Sequence, residues 1–229
     1  MAKRAYFSPA LFDFLRQLKR NNNRDWFLKN KSRYEADVRE PALRFIEDVG
    51  PQLKKISSHL VADPRPTGGS LFRINRDIRF SADKSPYKTA VGLSFGHDRG
   101  GHGAAPGLYV HLAPDESFAG GGVHMPDTPT LTKIRDAIVK DSATWKRIVT
   151  DKAFAPMFEN MGESLKRAPQ GYDPEHPFVD DLKRKHFTWH KSFNEAQVCR
   201  ADFMDRFIEA CRTADPLDTF LAKAVRAPW

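Results

Sequence analysis

The sequence predicts a single α+β domain in which an antiparallel sheet is flanked by N-terminal and C-terminal helices. Apolar residues recur at helical spacing through 8–60 and again through 128–225, whereas the period changes to two between 71 and 124. The strand candidates are joined by short turns rich in Gly, Pro and Asp, which favours an antiparallel meander. Helices, then strands, then helices are typical of an α+β fold, and no shift in composition divides residues 1–229 into domains.

The N-terminal helices begin and end at recognisable signals. Ser8-Pro9 suits the start of the first helix, the run Asn21–Asn23 ends it, and Asn23 can cap the second. Pro41 is expected to kink or restart the helical pattern, because proline lacks the amide donor.

Five segments have the period-two pattern of strands. They are 71–80, 90–96, 107–113, 117–124 and 185–193. In the second and third, alternation turns Leu93 and Val110 towards the core and leaves Tyr109 and His111 on the opposite, outer face. Small residues between them would leave room for a ligand to approach the backbone.

The composition is that of a basic, foldable chain. Its 229 residues are 40% hydrophobic and include 17 Phe, which is enough for a packed core. Lys and Arg number 37 against 29 Asp and Glu. The resulting net charge of +8 favours a phosphate-bearing small molecule or nucleic acid as partner.

Cysteine use and hydropathy predict a cytoplasmic protein. Cys199 and Cys211 lie on a predicted helix, about 18 Å apart by helical rise and too far for a disulfide. Free thiols indicate a reducing compartment. The N-terminus lacks the apolar core of a signal peptide and no window spans a bilayer, so we expect no membrane partner. Nothing in the sequence indicates the oligomeric state.

Charge is concentrated between Phe72 and Thr89. The basic residues there are Arg73, Arg76, Arg79, Lys84 and Lys88, and the acidic ones are Asp77 and Asp83. As a strand, the first part would turn Phe72, Ile74, Ile78 and Phe80 towards the core, with Arg76 among them. The opposite face would carry Arg73, Asn75, Asp77 and Arg79, and its arginines could share an anion.

We expect a ligand site where this charged face meets the outer face of the sheet. The predicted ligand-binding residues are Arg73, Asn75, Arg76, Arg79, Lys84, Lys88 and Tyr109. The candidate catalytic residues are Asp77, His111 and Tyr87, which could accept or donate protons. No nucleophile motif, Rossmann glycine pattern or Walker loop is present, so the sequence establishes neither a reaction nor a cofactor.

A structural interpretation explains the same residues. Asp77 could pair with the flanking arginines in a surface ladder of little energetic consequence. Arg76, half-buried among apolar side chains, would need a carboxylate partner, for which we expect a helix residue such as Asp25 or Glu35.

Glycines and histidines give weaker signals. The run Gly120–Gly122 ahead of a helix either cradles a phosphate or allows close strand packing. His186 and His190 share one face of a predicted strand, and other histidines lie near the sheet. Those others are His97, His102, His111 and His124. None shows a tight metal-ligand spacing, so we predict no metal site.

Several short motifs occur together along the chain. The central one is Arg76-Asp-Ile-Arg-Phe-Ser-Ala-Asp-Lys-Ser-Pro-Tyr-Lys-Thr89. The others are Asn23–Phe27 with Lys31 and Tyr34, Gly107–Tyr109, Gly120–Gly122 with Pro126, Leu131 and Ile134-Arg135, and Gly171–Asp173 with His176-Pro177 and Leu182-Lys183.

In these motifs the chain resembles a family of bacterial and fungal proteins known only as a conserved domain of unknown function. The likeness runs from about Phe7 to Phe220, and the central motif is specific. One departure is His124, which stands where an aromatic residue is more usual in the family. The resemblance implies a single α+β domain and brings no established activity or catalytic residues.

Two functions fit these observations. In the first, the basic face binds a phosphate-bearing or other anionic ligand, and in one version Asp77 and Asp83 hold a divalent metal that assists hydrolysis. In the second, the chain is a non-enzymatic structural, protein-interaction or nucleic-acid-interaction domain, and the charged motif is an internal ion-pair network. Exposed, unpaired arginines would favour the first function, and a sealed network would favour the second.

Overall fold

The structure is a computed structural model that describes residues 4–100, 103–158 and 163–229. Its N-terminal part contains α1 (Pro9–Arg20), α2 (Arg24–Lys29), α3 (Lys31–Arg33), a π-helical turn (Tyr34–Arg39) and α4 (Glu40–Leu53). As predicted, Asn23 caps α2, because its side chain accepts a hydrogen bond from Trp26 N at 2.9 Å. Pro41 lies in the first turn of α4, directly after the π-helical turn, so the helix is modified there without ending.

Four antiparallel strands form a sheet in the order β1-β2-β3-β4. They are β1 (Val91–Phe95), β2 (Gly107–Leu112), β3 (Ser117–Val123) and β4 (Phe187–Phe193). Between β3 and β4 lie α5 (Thr128–Lys140), α6 (Ser142–Val149), a 3₁₀ turn (Ala155–Met157) and α7 (Val179–Leu182), and after β4 come α8 (Glu195–Val198) and α9 (Phe203–Val225). The predicted α+β fold, a single domain with helices before and after an antiparallel sheet, is confirmed.

The inner face of the sheet packs against α9 and forms much of the hydrophobic core. Leu93 and Val110 are fully buried on this face, as the alternation predicted. Trp189 of β4 is buried beside them, and its indole Nε1 donates a hydrogen bond to Asp218 of α9 at 3.2 Å. Gly121 makes room for that indole, since a Cβ at this position would lie 2.8 Å from Trp189 Nε1.

The prediction of a strand over 71–80 is wrong. Only its beginning joins the sheet, where Phe72 N donates to Gly92 O of β1 at 2.9 Å. The chain then pairs with its own continuation, because Arg76 N donates to Pro86 O at 2.9 Å. Local pairing of 74–76 with 86–88 has therefore replaced extension of the sheet.

The resulting excursion, residues 72–88, is called the basic loop below. Two aromatic residues that were expected in the core lie outside it: Phe72 is 42% exposed and Phe80, near the tip, is 95% exposed. Because this part of the loop has no second layer to cover it, these two side chains stay in contact with solvent.

The C-terminal helical region is divided in two. Cys199 follows α8 and Cys211 lies buried within α9, so the single helix expected to carry both is interrupted between them. Throughout the described ranges, no helix combines the length and the apolar character that a bilayer crossing needs.

Candidate functional site

Three cations of the basic loop are used to hold the loop itself together. The Arg76 guanidinium binds the carboxylate of Asp83 and donates to Ser85 O at 3.1 Å. Lys84 Nζ and Lys88 Nζ each donate to a backbone carbonyl of the loop, at 3.0 Å. Hydrogen bonds from Ser85 and from Arg76 lower the pKa of Asp83 to about 2, so this carboxylate stays ionised over the physiological range.

The expected partner of Arg76 is therefore corrected. Neither Asp25 nor Glu35 binds it, and Glu35 instead pairs with Arg39 at 2.8 Å within the helical region. Because the loop folds back on itself, the nearest carboxylate to Arg76 is Asp83 of the same loop.

Two other arginines of the loop face solvent. Arg79 forms a two-point contact with Asp77, at 3.0 and 2.7 Å, and its side chain is 75% exposed. This contact lowers the pKa of Asp77. Arg73 is exposed, and within the described ranges its guanidinium makes no hydrogen bond or salt bridge. Arg73 is thus the cation of the loop that is available to an external anion.

Tyr87 and Asn75 contribute to the frame of the loop. The Tyr87 ring is 7% exposed and stacks on Phe27 at 4.2 Å between centroids. Its backbone exchanges two hydrogen bonds with the Asn22 side chain, at 3.1 and 2.9 Å. Asn75 lies opposite Tyr87 in the local pairing and is exposed. The buried position of Tyr87 suits packing better than proton transfer.

The outer face of the sheet, opposite α9, carries a cluster of rings around Phe118. On β2, Tyr109 and His111 alternate with the buried residues, as predicted. The Phe118 ring stacks on His111 at 5.1 Å and lies 6.0 Å from Tyr109. His190 of β4 meets the Phe118 ring edge-on at 6.4 Å, and Gly120, which stands between Tyr109 and His190 in the strand register, would bring a Cβ within 2.9 Å of Trp189 O and 3.6 Å of the Phe118 ring.

The polar groups of this outer face are partly desolvated. Burial lowers the pKa of His111 and raises the pKa of Tyr109, so the imidazole is neutral and the phenol protonated near neutral pH. The Tyr109 hydroxyl lies 3.4 Å from His111 Nδ1. Within the described part of the chain, the buried Nδ1 atom of His190 has no hydrogen-bond partner. The Tyr109 hydroxyl and the His111 imidazole can exchange hydrogen bonds with a ligand that rests on the face.

The basic loop and the outer face meet at Phe72. Its ring lies 5.8 Å from the Tyr109 ring, and Lys88 Nζ lies 5.3 Å above it. Gly92 of β1 lies beneath, where a Cβ would come within 2.5 Å of the Tyr109 hydroxyl. Burial, and secondarily the charge of Arg73, lowers the pKa of Lys88. Aromatic surface and unneutralised positive charge thus adjoin at one edge of the sheet.

The glycine run and the remaining histidines lie elsewhere. Gly122 has φ 101°, and a Cβ there would come within 2.1 Å of Phe187 O, so close packing of β3 on β4 explains the run. His186 stacks on His124 at 4.9 Å and accepts a hydrogen bond from Met125 N. His102 is outside the described residues.

Two shallow grooves lie away from these residues. One, of about 640 Å³, runs between the β2–β3 turn and α8, and its lining includes Asp115, Glu116 and Glu195. The other, of about 490 Å³, is lined by residues between Arg167 and Lys183. Neither groove contains a predicted site residue, and the acidic lining of the first does not suit an anionic ligand.

Sequence reasoning alone missed Phe118 and His190 as members of the ring cluster. The signal for Phe118 was available, because alternation along 117–124 places it on the same face as Gly120 and Gly122. His190 could be placed only once β4 was known to pair with β3, across a long intervening segment.

The fold and site define a class: an α+β domain whose antiparallel sheet has one face on a long helix and the other lined with aromatic and histidine rings. The chain belongs to a family described as a conserved hypothetical protein (DUF2461), whose model matches residues 10–220. Comparison with curated proteins gives no match, and comparison with solved structures gives none either.

Proposed function

We propose that this protein binds a ligand that carries both a phosphate and a planar ring, as nucleotides and single-stranded nucleic acids do. The phosphate would contact Arg73 and Arg79, and the ring would rest on Phe72 and the adjoining outer face. The observation that carries the proposal is the position of Phe72, between the Tyr109 ring at 5.8 Å and Lys88 Nζ at 5.3 Å.

The chemistry of such ligands supports this pairing. Bases stack on aromatic side chains with about 1–3 kcal/mol per base, without needing a defined sequence. Guanidinium groups bind phosphate through charge-assisted hydrogen bonds. The Arg73 guanidinium has no ion pair or hydrogen bond with any described residue, and Arg79 could exchange its exposed contact with Asp77 for a phosphate at little cost.

No observation favours a hydrolase over a binding protein. Asp77 and Asp83, the carboxylates suggested as metal ligands, are each engaged by an arginine of the same loop. The proposal is therefore one of binding, with Tyr109 and His111 as hydrogen-bonding groups.

One observation favours the interpretation of the charged motif as an internal network that holds the loop together. Arg76, Lys84 and Lys88 bind carbonyl or carboxylate oxygens of the loop itself. We therefore divide the predicted ligand-binding set: these three cations brace the loop, and Arg73 and Arg79 face outward.

The test is a thermal-shift and calorimetric titration of wild type, Arg73→Ala and Phe72→Ala. The probes are inorganic phosphate, mononucleotides and short single-stranded oligonucleotides, each at low and high salt. We expect nucleotide or oligonucleotide binding that weakens about tenfold in Arg73→Ala, the loss of one charge-assisted hydrogen bond. Binding should also weaken in Phe72→Ala, and high salt should weaken it in wild type.

Arg212→Ala is the matched control, because Arg212 is an exposed arginine on α9, the helix behind the sheet. It removes the same charge and should leave affinity unchanged. An equal loss of affinity in Arg73→Ala and Arg212→Ala would show that binding depends only on the net charge of the protein. Absence of binding to every probe, with an early melt of Arg73→Ala, would contradict the proposal and support the structural interpretation.

A further inference from the structure

Three potential metal ligands converge at the opposite end of β1 from Gly92, away from the basic loop. They are His59, His97 and Asp98, whose ligand atoms all lie within 4.8 Å of one another. His59 Nδ1 lies 2.9 Å from Asp98 Oδ2, and His97 Nδ1 lies 3.1 Å from Asp98 Oδ1. The imidazole rings are stacked in parallel, with 5.2 Å between centroids.

The backbone holds these side chains in place. His59 lies in the segment after α4, and His97-Asp98 follows β1 directly. Asp98 N donates to His59 O at 2.9 Å, and a bridge between Leu60 and His97 joins the two segments. Donors fixed by paired backbone can bind an ion without first becoming ordered.

The hydrogen bonds of His97 determine which of its nitrogen atoms is free of a proton. Nε2 lies 2.8 Å from the carbonyl oxygen of Pro228, and a carbonyl oxygen can only accept. Nε2 therefore carries the proton, and the Nδ1 lone pair accepts from Arg99 N at 3.1 Å, while Asp98 Oδ1 also lies 3.1 Å from Nδ1. A histidine that donates one N–H to a backbone carbonyl and offers the other nitrogen is the usual arrangement of a metal ligand.

This arrangement brings two electron-rich atoms together. His97 Nδ1, on a side chain that is only 2% exposed, lies 3.1 Å from Asp98 Oδ1. A cation between these two atoms would take the Nδ1 lone pair from Arg99 N and replace the repulsion by two attractive contacts. Bond lengths of about 2.0–2.2 Å in a tetrahedral zinc site place neighbouring donors about 3.3 Å apart, so small movements of the donors would suffice.

We propose that His59, His97 and Asp98 form a binding site for a divalent transition metal such as Zn²⁺. Two imidazole nitrogens and one carboxylate suit a borderline-soft ion better than Mg²⁺ or Ca²⁺, which prefer oxygen ligands. On binding, His59 coordinates through Nδ1 and carries its proton on Nε2. The Asp98 side chain is 46% exposed, which leaves the remaining coordination position open to water.

The test is titration of the metal-depleted, tag-free full chain with Zn²⁺, and with Co²⁺ for its visible spectrum. Wild type should bind one ion per chain, and the visible spectrum of bound Co²⁺ should be that of an ion with few ligands, near tetrahedral coordination. His59→Ala and the isosteric Asp98→Asn should each weaken binding at least about tenfold, the effect of losing even an indirect partner. Both residues are partly exposed, so the variants should fold.

His176→Ala is the control, because His176 bonds Ser142 and Phe178 far along the chain and forms no such cluster with the residues that the structure describes. It should bind Zn²⁺ like wild type. Nitrogen NMR of the imidazoles gives a second measurement that needs no variant, since Zn²⁺ should move the His59 proton to Nε2. No binding at micromolar Zn²⁺, equal affinity in His59→Ala and wild type, or an unchanged His59 spectrum would each overturn the proposal.

Discussion

The two faces of the sheet share the same strands but differ in what covers them. The inner face presents Leu93, Val110 and Trp189 to α9 and is sealed. The outer face presents Tyr109 and His111, half-buried, with glycines among its rings. From this difference we expect substitutions on the inner face to affect folding, and substitutions on the outer face to affect the proposed binding.

The largest effect should follow from Trp189→Ala on the inner face. Truncating a buried indole leaves a cavity that costs about 3–5 kcal/mol, and here it also removes the donor to Asp218. Urea unfolding measures the loss. Lys191→Ala, an exposed position two residues along β4, should stay within about 0.5 kcal/mol of wild type. A loss below about 1 kcal/mol for Trp189→Ala would show that the inner face is not the core.

A pH-dependent effect of intermediate size should come from Asp218. Burial raises its pKa well above the ordinary value, and one of its oxygens has no partner within the described residues. From about pH 4 upward the folded state retains a proton that the unfolded state releases, so the free energy of unfolding falls as pH rises towards the raised pKa. Asp218→Asn cannot ionise and should lack this fall.

Urea unfolding at pH 5 and pH 8 checks this sign. The advantage of Asp218→Asn over wild type should be larger at pH 8. The same difference at both pH values would mean that Asp218 is ionised in the folded protein throughout. Asp205→Asn on the same helix is a suitable control, because Asp205 is exposed and is not among the charges that raise the pKa of Asp218.

The smallest effect on folding should come from Tyr109→Phe on the outer face. It removes a hydroxyl whose contact with His111 is long, at 3.4 Å, so stability should change by about 0.5 kcal/mol or less. Nucleotide affinity should nevertheless fall if the hydroxyl bonds the ligand, and calorimetry measures this. A stability loss above about 2 kcal/mol would place Tyr109 with the core and remove the contrast between the faces.

The sequence predicted the fold and the sheet because both depend on local periodicity. Alternation along 90–96 and 107–113 placed Leu93, Tyr109 and His111 correctly, since one face of an antiparallel sheet must be apolar. The same rule failed at 71–80, where residues 74–76 pair with residues 86–88 of the same loop. Periodicity indicates which residues alternate, but it does not indicate which strand they pair with.

The candidate sites were harder to predict because they depend on contacts distant in sequence. The position of Phe72 beside Tyr109 requires the basic loop to return to β1, and no local pattern encodes that return. His59 and Asp98 had no signal at all, because a loop residue and a residue after a strand meet only in the folded chain.

The order of the strands has a consequence for how the chain folds. β1, β2 and β3 follow one another along the chain, with residues 96–106 and 113–116 between them, so they can pair early through local connections. β4 must wait for residues 124–186, with their helices, to close a much longer loop before it can join β3. We expect β4 to be the last strand to join the sheet, so that the ring cluster is completed by His190 only in the final step.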